Sequence, residues 1–351
     1  MTTGQRTAVH GRIGIVLVPE FDHARLAALS RQIEGLGFGT LWYADERFYR
    51  DTYVGLAVCA MSTSTIRLGP GVSDPFTRHP ATIAQAMGSL QELSSGRAVL
   101  GLGAGNIGFE NLGLRLERPA VAMRDAIDII RGMLDGGVVT HAGEMISVSG
   151  VQMAFVPPAP VPIYLSAGGP HMRRLAGEVA DGVFLMHAAS QRLMSGPLDQ
   201  VRAAARRAGR STPRVVARLD VAISRDGDAA LTIAKARIAR QLWRAYPDID
   251  YLPAHGLVLP EALDDMLQAA GPFVDGHGLD RYWRFVEHIP DEFVYPIIVA
   301  GSPSQVARQL GSVLAGDVDE FMLYLLIPRG ETIESCLALL GEAAELTTVP
   351  Q

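Results

Sequence analysis

The sequence predicts an α/β fold, a TIM (β/α)8 barrel with insertions, and three observations lead to that prediction. Short β-branched runs alternate with stretches of helical periodicity, which is typical of βα units around a parallel sheet. Eight such runs occur, and eight βα units close into a barrel. The length of 351 residues exceeds the ~250 residues typical of this fold, so the surplus is expected in inserted segments.

The predicted strands are short, mostly apolar runs bounded by glycine, proline or polar residues. They cover residues 12–18, 40–44, 66–70, 98–102, 161–165, 182–186, 214–223 and 319–326. Helices are expected between them. Asp22 is suited to cap the first helix, Pro80 and Pro119 to begin two later ones, and Ser302–Pro303 to begin the helix before the last strand.

Two segments depart from the repeating pattern and are the predicted insertions, near 143–156 and 226–290. The first changes period and predicts a hairpin. The second is irregularly helical and shows no parallel strand of its own. At ~150 residues per domain the length alone suggests two domains, but the strand pattern predicts one barrel domain over 1–351. The insertions are expected to cap the barrel mouth and to influence substrate choice.

Composition excludes several classes of function. The net charge of −6, from 31 basic and 37 acidic residues, argues against a nucleic-acid-binding surface. No run of ~18 apolar residues predicts a membrane span, and no signal-peptide core precedes Arg12. Cys59 and Cys336 lie in apolar helical patterns and are predicted to be buried free thiols. We expect a cytoplasmic protein with a small-molecule substrate, and the apolar helices of the N-terminal half are compatible with a homodimer.

Polar residues follow the second and third strands, at the end of a barrel where active sites form. Asp45 and Glu46 follow the second strand, where an acid can donate a proton or accept a hydrogen bond. The alternative interpretation is that these two acids form a solvent-exposed turn with no functional role. The glycine- and proline-rich stretch 69–80 follows the third strand, and there Arg78 and His79 either bind an anion or hold the loop through its carbonyls.

Glycines follow the fourth and fifth strands. The run Gly103-Ala-Gly-Asn-Ile-Gly108 has a GxGxxG pattern, but no helix begins directly after it, so a dinucleotide fingerprint is disfavoured. Its glycines are better suited to let a flat ligand group approach the mouth of the barrel. Gly168 and Gly169 open a helix, where free amides suit a phosphate, although a tight turn alone would explain them. The histidine spacing suits no metal, so no metal site is predicted.

Several ordered sequence blocks resemble the bacterial luciferase-like family. They are Thr77-Arg-His-Pro80 after Gly-Pro-Gly-Val, the stretch 95–105, the stretch 162–170 and the stretch 176–183. The resemblance implies a TIM barrel and a flavin- or deazaflavin-dependent oxidoreductase. Within the family the chain is similar to the methylenetetrahydromethanopterin reductase branch, which uses coenzyme F420.

The resemblance also implies roles for residues after the second and third strands. Asp45 corresponds to an acid near the cofactor ring. Gly71 and Val72 correspond to a non-proline cis peptide that bulges against the deazaflavin. Ser73 and Asp74 correspond to residues that contact the cofactor's linker.

Four further cofactor contacts follow from the resemblance, together with two departures. Gly168 and Gly169 correspond to glycines whose amides bind the phosphate, and Gly103 and Asn106 lie at the cofactor. Asn106 stands where relatives often have an acid, and Glu46 stands where they often have a histidine. We therefore expect the proton donor to be Asp45 or Glu46, unless the substrate itself differs.

The implied activity is hydride transfer between F420 and a C=N, C=C or C=O bond of a small organic molecule. The alternative is an FMN-dependent monooxygenase that uses O2, because FMN would bind the same bulge and glycines. A barrel that binds a ligand without catalysis is a third, less favoured interpretation.

Overall fold

Parallel β-strands alternate with helices along most of the chain. The structure is a computed structural model and describes residues 9–105, 109–186, 189, 191–249, 252, 256–271, 273 and 278–348. Its strands are β1 (Ile13–Leu17), β2 (Thr40–Tyr43), β3 (Arg67–Pro70), β4 (Leu100–Leu102), β5 (Val139–Ala142), β6 (Ser147–Val151), β7 (Ile163–Ser166), β8 (Gly182–Met186), β9 (Arg214–Ile223), β10 (Ile298–Gly301) and β11 (Glu320–Leu326).

The helices fill the intervals between strands, as the alternating pattern predicts. They are α1 (His23–Gly35), α2 (Thr52–Ser62), α3 (Pro80–Leu93), α4 (Pro119–Leu134), α5 (Pro170–Val179), α6 (Gln191–Arg207), α7 (Gly227–Ala245), α8 (Glu261–Ala270), α9 (Pro303–Leu314) and α10 (Ile333–Leu346). Their starts follow local chemistry: the Asp22 carboxylate accepts the Arg25 amide, and Ser302 with Gln305 forms a capping box. None of the described helices has the length and apolar character that crossing a bilayer requires.

The strand order is that of the predicted barrel. It runs β3-β2-β1-β11-β9-β8-β7-β4, with β10 paired to β9. The two ends of this order meet, because a parallel bridge joins Leu68 to Ala98 and another joins Ser73 to Leu102. All eight predicted strands lie within this sheet, with ends shifted by at most two residues.

Two expectations about the strand pattern need correction, one in the first insertion and one between the second insertion and α9. The hairpin begins earlier than predicted: β5 and β6 pair antiparallel, with His141 opposite Val148, so residues 143–146 form its turn. A ninth parallel strand, β10, was not predicted. It spans four residues, with Ile298 opposite Asp220 on β9, and it directly precedes the cap of α9, so its apolar run is too short to separate from the helix start.

The chain divides into two units. The first comprises residues 1–186, 196–217 and 318–322, and the second comprises 187–195, 218–317 and 323–351. Within the first unit, Trp42, Tyr164 and Phe184 form an aromatic core, with ring centroids 5.0 Å apart for Trp42 and Phe184. Cys59, in the same unit, is a buried free thiol as predicted.

The N-terminal ends of three strands of the first unit carry an ion cluster. Glu320 is buried and pairs with Arg67 and with Arg214, each at 2.6 Å. Burial opposes the charge of Arg67, but the attraction of Glu320 outweighs it and raises the pKa of that guanidinium. Polar residues at this end of a barrel stabilise the fold, since catalysis takes place at the opposite end.

The second unit has its own apolar core around α7, including Trp243, Tyr282 and Phe285. Asp220 is buried within this unit and accepts hydrogen bonds from Arg218 and, at 2.7 Å, from Arg237. Burial alone would raise the pKa of Asp220, but the two guanidinium groups lower it from 3.8 to about 2.

The depressed pKa of Asp220 predicts an acid-sensitive contribution to stability. The contribution is complete above the unfolded pKa near 4 and is lost as the pH falls toward the folded pKa of about 2. We therefore expect wild type to be more stable than Asp220→Asn near neutrality, with the difference shrinking through this window. Chemical unfolding of both proteins across the pH range measures the difference, and a gap that does not change with pH would contradict it.

Candidate cofactor-binding site

The residues predicted after the second and third strands lie next to one another in the first unit. Strands β2 and β3 are parallel neighbours, with Tyr43 opposite Pro70 at their C-terminal ends. The chain leaving β2 through Asp45 and the chain leaving β3 through Gly71 therefore enter the same end of the barrel. This is the end where barrel enzymes place their active sites.

Asp45 is an acceptor for two side chains of the loop after β3. Its Oδ2 accepts the Ser73 hydroxyl at 2.6 Å and Arg78 Nε at 2.9 Å, and its Oδ1 accepts Arg78 Nη2 at 3.2 Å. The Asp45 side chain is 10% exposed and that of Arg78 is 30% exposed. Because both oxygens of the Asp45 carboxylate accept hydrogen bonds from the Arg78 guanidinium group, the position of the Arg78 side chain is fixed. In this geometry Asp45 holds the loop after β3.

A chain of hydrogen bonds runs from Tyr53 on α2 to Asp45. The Tyr53 hydroxyl lies 3.1 Å from Ser73 Oγ, and because Ser73 donates its own proton to Asp45, Tyr53 is the donor. Burial raises the pKa of Tyr53 well above its ordinary value, so the phenol stays protonated for this role. The Arg78 guanidinium lies 5.1 Å from the centre of the Tyr53 ring, in a cation–π contact.

Asp74 shapes the loop after β3. Its Oδ1 accepts the backbone amides of Phe76 at 2.9 Å and Thr77 at 2.8 Å, and its Oδ2 accepts the Thr77 hydroxyl at 2.8 Å and pairs with Arg47. The Asp74 side chain is only 1% exposed. Its carboxylate is thus used within the loop, so any contact of Asp74 with a cofactor linker would involve its backbone.

Two ion pairs cross between the segments that follow β2 and β3. Asp45 of the first segment pairs with Arg78 of the second, and Arg47 of the first pairs with Asp74 of the second. Burial lowers the pKa of Arg47, although Asp45 and Glu46 oppose that effect. The hydrogen bonds that Arg78 donates to Asp45 and Asp51 outweigh the effect of burial and raise the pKa of Arg78. Each segment therefore supplies one cation and one anion to the other.

The loop after β3 also contains the predicted backbone bulge. The peptide bond between Gly71 and Val72 is cis, as the resemblance implies. A Cβ on Gly71 would lie 2.9 Å from Trp42 Cβ, and a Cβ on Gly103 would lie 2.5 Å from Val72 Cγ2. A Cβ at either position would therefore force a neighbouring side chain to shift, and the half-exposed Val72 side chain occupies the space over Gly103.

Gly168 and Gly169 face open space at the start of α5. A Cβ on either glycine would meet no atom within 4 Å, so neither is needed for packing. Gly169 is the N-cap of α5 and provides no side-chain hydrogen bond to the first helical turn. The positive end of the helix dipole and the amides of that turn suit an anion. The geometry thus fits the predicted phosphate site.

The open space at Gly169 gives a test that separates binding from folding. Its φ of −111° suits any residue, so Gly169→Ala should lower the melting temperature only slightly, by the small loss from replacing glycine with alanine at an N-cap. The added methyl group would occupy the space in which a phosphate approaches the amides, so we expect the affinity for a phosphate-bearing cofactor to fall. Fluorescence titration and thermal unfolding measure the two effects, and unchanged cofactor affinity would remove Gly169 from the site.

The structure locates most of the predicted site residues. Glu46 is half-buried, and its charge acts on Arg47. Asn106 lies outside the described residues. Arg78 holds the loop through the carboxylates of Asp45 and Asp51 and not through carbonyls, and His79 caps α3 by accepting the Ala81 amide at 3.2 Å.

Two residues of the network, Arg47 and Tyr53, were not predicted from the sequence. A signal existed for Arg47, because the segments after β2 and β3 each contain an aspartate followed two to four residues later by an arginine, as Asp45 with Arg47 and Asp74 with Arg78. No comparable signal exists for Tyr53, since α2 brings it to Ser73 only in the folded chain.

Comparisons with known proteins identify the family of the chain. Residues 3–318 match the family model described as luciferase-like monooxygenase. The chain is 35% identical to a 5,10-methylenetetrahydromethanopterin reductase of Methanolobus tindarius, and 31% identical to a protein of the same name from Archaeoglobus fulgidus. Each alignment covers 94% of this chain and 98% of the relative.

A solved structure resembles most of the chain. The coenzyme F420-dependent tetrahydromethanopterin reductase of Methanopyrus kandleri superposes with a TM-score of 0.81 at 26% identity, covering 94% of this chain and 97% of the other. The family match and the full-length relatives support one conclusion. The chain belongs to the luciferase-like monooxygenase family, and it is an oxidoreductase.

Proposed function

We propose that the protein is an F420-dependent oxidoreductase that transfers hydride between the deazaflavin and a C=N, C=C or C=O bond of a small organic substrate. The observation that carries the proposal is the full-length similarity to reductases named for a methylene-tetrahydropterin substrate. A methylene-tetrahydropterin is therefore the first substrate class to assay.

The residues present fit a cofactor with a flat ring and a phosphate. Val72 would support the ring, Gly103 leaves room beside it, and the amides at Gly168 and Gly169 would take the phosphate. When bound, F420 supplies the hydride-exchanging carbon. The protein provides position, exclusion of water and a proton.

Asp45 and Glu46 are assigned different roles. Asp45 accepts bonds from Ser73 and Arg78, so we assign it to positioning the bulge. Glu46 is half-buried and its charge acts on Arg47, so we assign it to proton transfer. Glu46→Gln should lower kcat by about 10²–10⁴-fold, the usual contribution of a general acid, with F420 affinity retained. Unchanged kcat in this variant would reject the assignment.

Parallel titration of the protein with F420 and FMN tests the choice of cofactor. We expect F420 to bind and its reduced form to be reoxidised by a methylene-tetrahydropterin without oxygen uptake. Tight FMN binding with substrate-dependent oxygen uptake would instead establish the monooxygenase suggested by the family description. Gly169→Ala serves as the control, since it should weaken whichever cofactor uses the phosphate site.

A further inference from the structure

A surface groove with basic walls lies beside Gly168 and Gly169 in the first unit. Its volume is about 320 Å³. The lining comes from the first turns of α5 and from the C-terminal part of α6: Pro170, His171, Arg174, Gln200, Ala203 and Arg207. Every ionisable side chain in this lining is basic.

The two helices that line the groove, α5 and α6, pack directly against each other. A Cβ on Gly177 of α5 would lie 2.4 Å from the carbonyl oxygen of Val201 and 2.7 Å from Ala204 Cβ, so the backbones of α5 and α6 are in direct contact there. The spacing of the side chains that line the groove therefore follows from helix packing.

The basic charge of the groove is only weakly neutralised by the protein. Residues 171–214 contain eight arginines and three acidic residues, in a chain of net charge −6. Among the described residues Arg207 forms no ion pair, and Arg174 approaches Glu178 only at 3.9 Å. Two guanidinium groups are thus available to an anionic ligand.

Arg173 connects the groove to the glycine turn. Its Nη2 donates to the carbonyl oxygen of Gly168, and its Nη1 donates to Gln200 Oε1 at 3.3 Å. One residue thus bonds both to the turn proposed for the phosphate and to the wall of the groove. A ligand that extends beyond the phosphate would pass directly from one to the other.

We propose that this groove binds the oligoglutamate tail of F420, an inference that rests on the proposed function. Beyond its phosphate F420 carries a lactyl group and γ-linked glutamates, each with a free carboxylate. Guanidinium groups bind carboxylates through paired hydrogen bonds. FMN ends at its phosphate and has no group for this groove, so the groove favours F420 of the two cofactors.

The test compares two forms of the cofactor on three proteins. Fluorescence titration at low salt gives the affinity of wild type for F420 with a long tail and for the tail-less form, which ends at the phospholactyl group. We expect the long-tailed form to bind more tightly by roughly 3- to 10-fold, the effect of two exposed charge pairs. The double variant Arg174→Gln/Arg207→Gln should bind both forms with the affinity of the tail-less one.

Arg206→Gln is the matched control, since it removes one exposed arginine from α6 outside the groove lining. It should keep the preference for the long tail. If wild type binds both forms equally, or the double variant keeps the preference, the groove inference is wrong and the proposed function stands. If wild type binds neither form, the proposed function fails and the inference fails with it.

Discussion

Asp74→Ala is expected to lower the free energy of unfolding by about 3–5 kcal/mol, the cost of removing one partner from a buried ion pair. The substitution leaves the Arg47 guanidinium without its carboxylate and the amides of Phe76 and Thr77 without their acceptor. The loop that carries the Gly71–Val72 bulge would lose its shape, so F420 affinity should fall as well. Urea unfolding and cofactor titration measure both effects.

Asp51→Ala is the matched control for this prediction. Asp51 belongs to the same network through Arg78 but is 44% exposed and caps α2. Its removal should cost about 1 kcal/mol, the usual value of a helix cap. A loss at Asp74 no larger than the loss at Asp51 would show that the buried carboxylate does not organise the loop.

Gly101→Ala should destabilise the protein by about 3 kcal/mol, the upper end of the usual cost of overpacking. The new Cβ would lie 2.3 Å from the carbonyl oxygen of Pro70 and 3.3 Å from Val72 Cγ1. The first contact is with backbone of the neighbouring strand, which has no alternative rotamer. The second pushes on the bulge, so F420 affinity should fall together with the melting temperature.

Gly35→Ala is the same substitution at an exposed site, the last residue of α1, where a Cβ meets nothing within 4 Å. It should change the free energy of unfolding by no more than about 0.5 kcal/mol. Equal effects at Gly101 and Gly35 would contradict the tight approach of β3 and β4.

The sequence predicts what depends on local pattern. Eight strands follow from β-branched runs, and helix starts follow from caps such as Asp22. The cis peptide at Gly71–Val72 was accessible only through family resemblance, because its local sequence is also that of an ordinary turn. Strand β10 was missed because four apolar residues before a helix cap have no distinguishing period.

The site network shows where sequence reasoning ends. Asp45 was identified because a strand-end acid is a general candidate, but its role depends on which side chains reach it. Ser73, Arg78 and Tyr53 lie 28, 33 and 8 residues away along the chain, and they converge only through the parallel pairing of β2 and β3 and the position of α2. No spacing in the sequence encodes that convergence.

The crossed ion pairs have a consequence for protein engineering. A loop graft that moved residues 71–78 alone into another barrel would bring Asp74 and Arg78 without their partners Arg47 and Asp45. One carboxylate and one guanidinium group would then be left without an ion-pair partner in the new protein. Residues 45–47 and 71–78 are therefore one transferable module. Chimeras and directed-evolution libraries that recombine them separately should lose cofactor binding far more often than those that exchange them together.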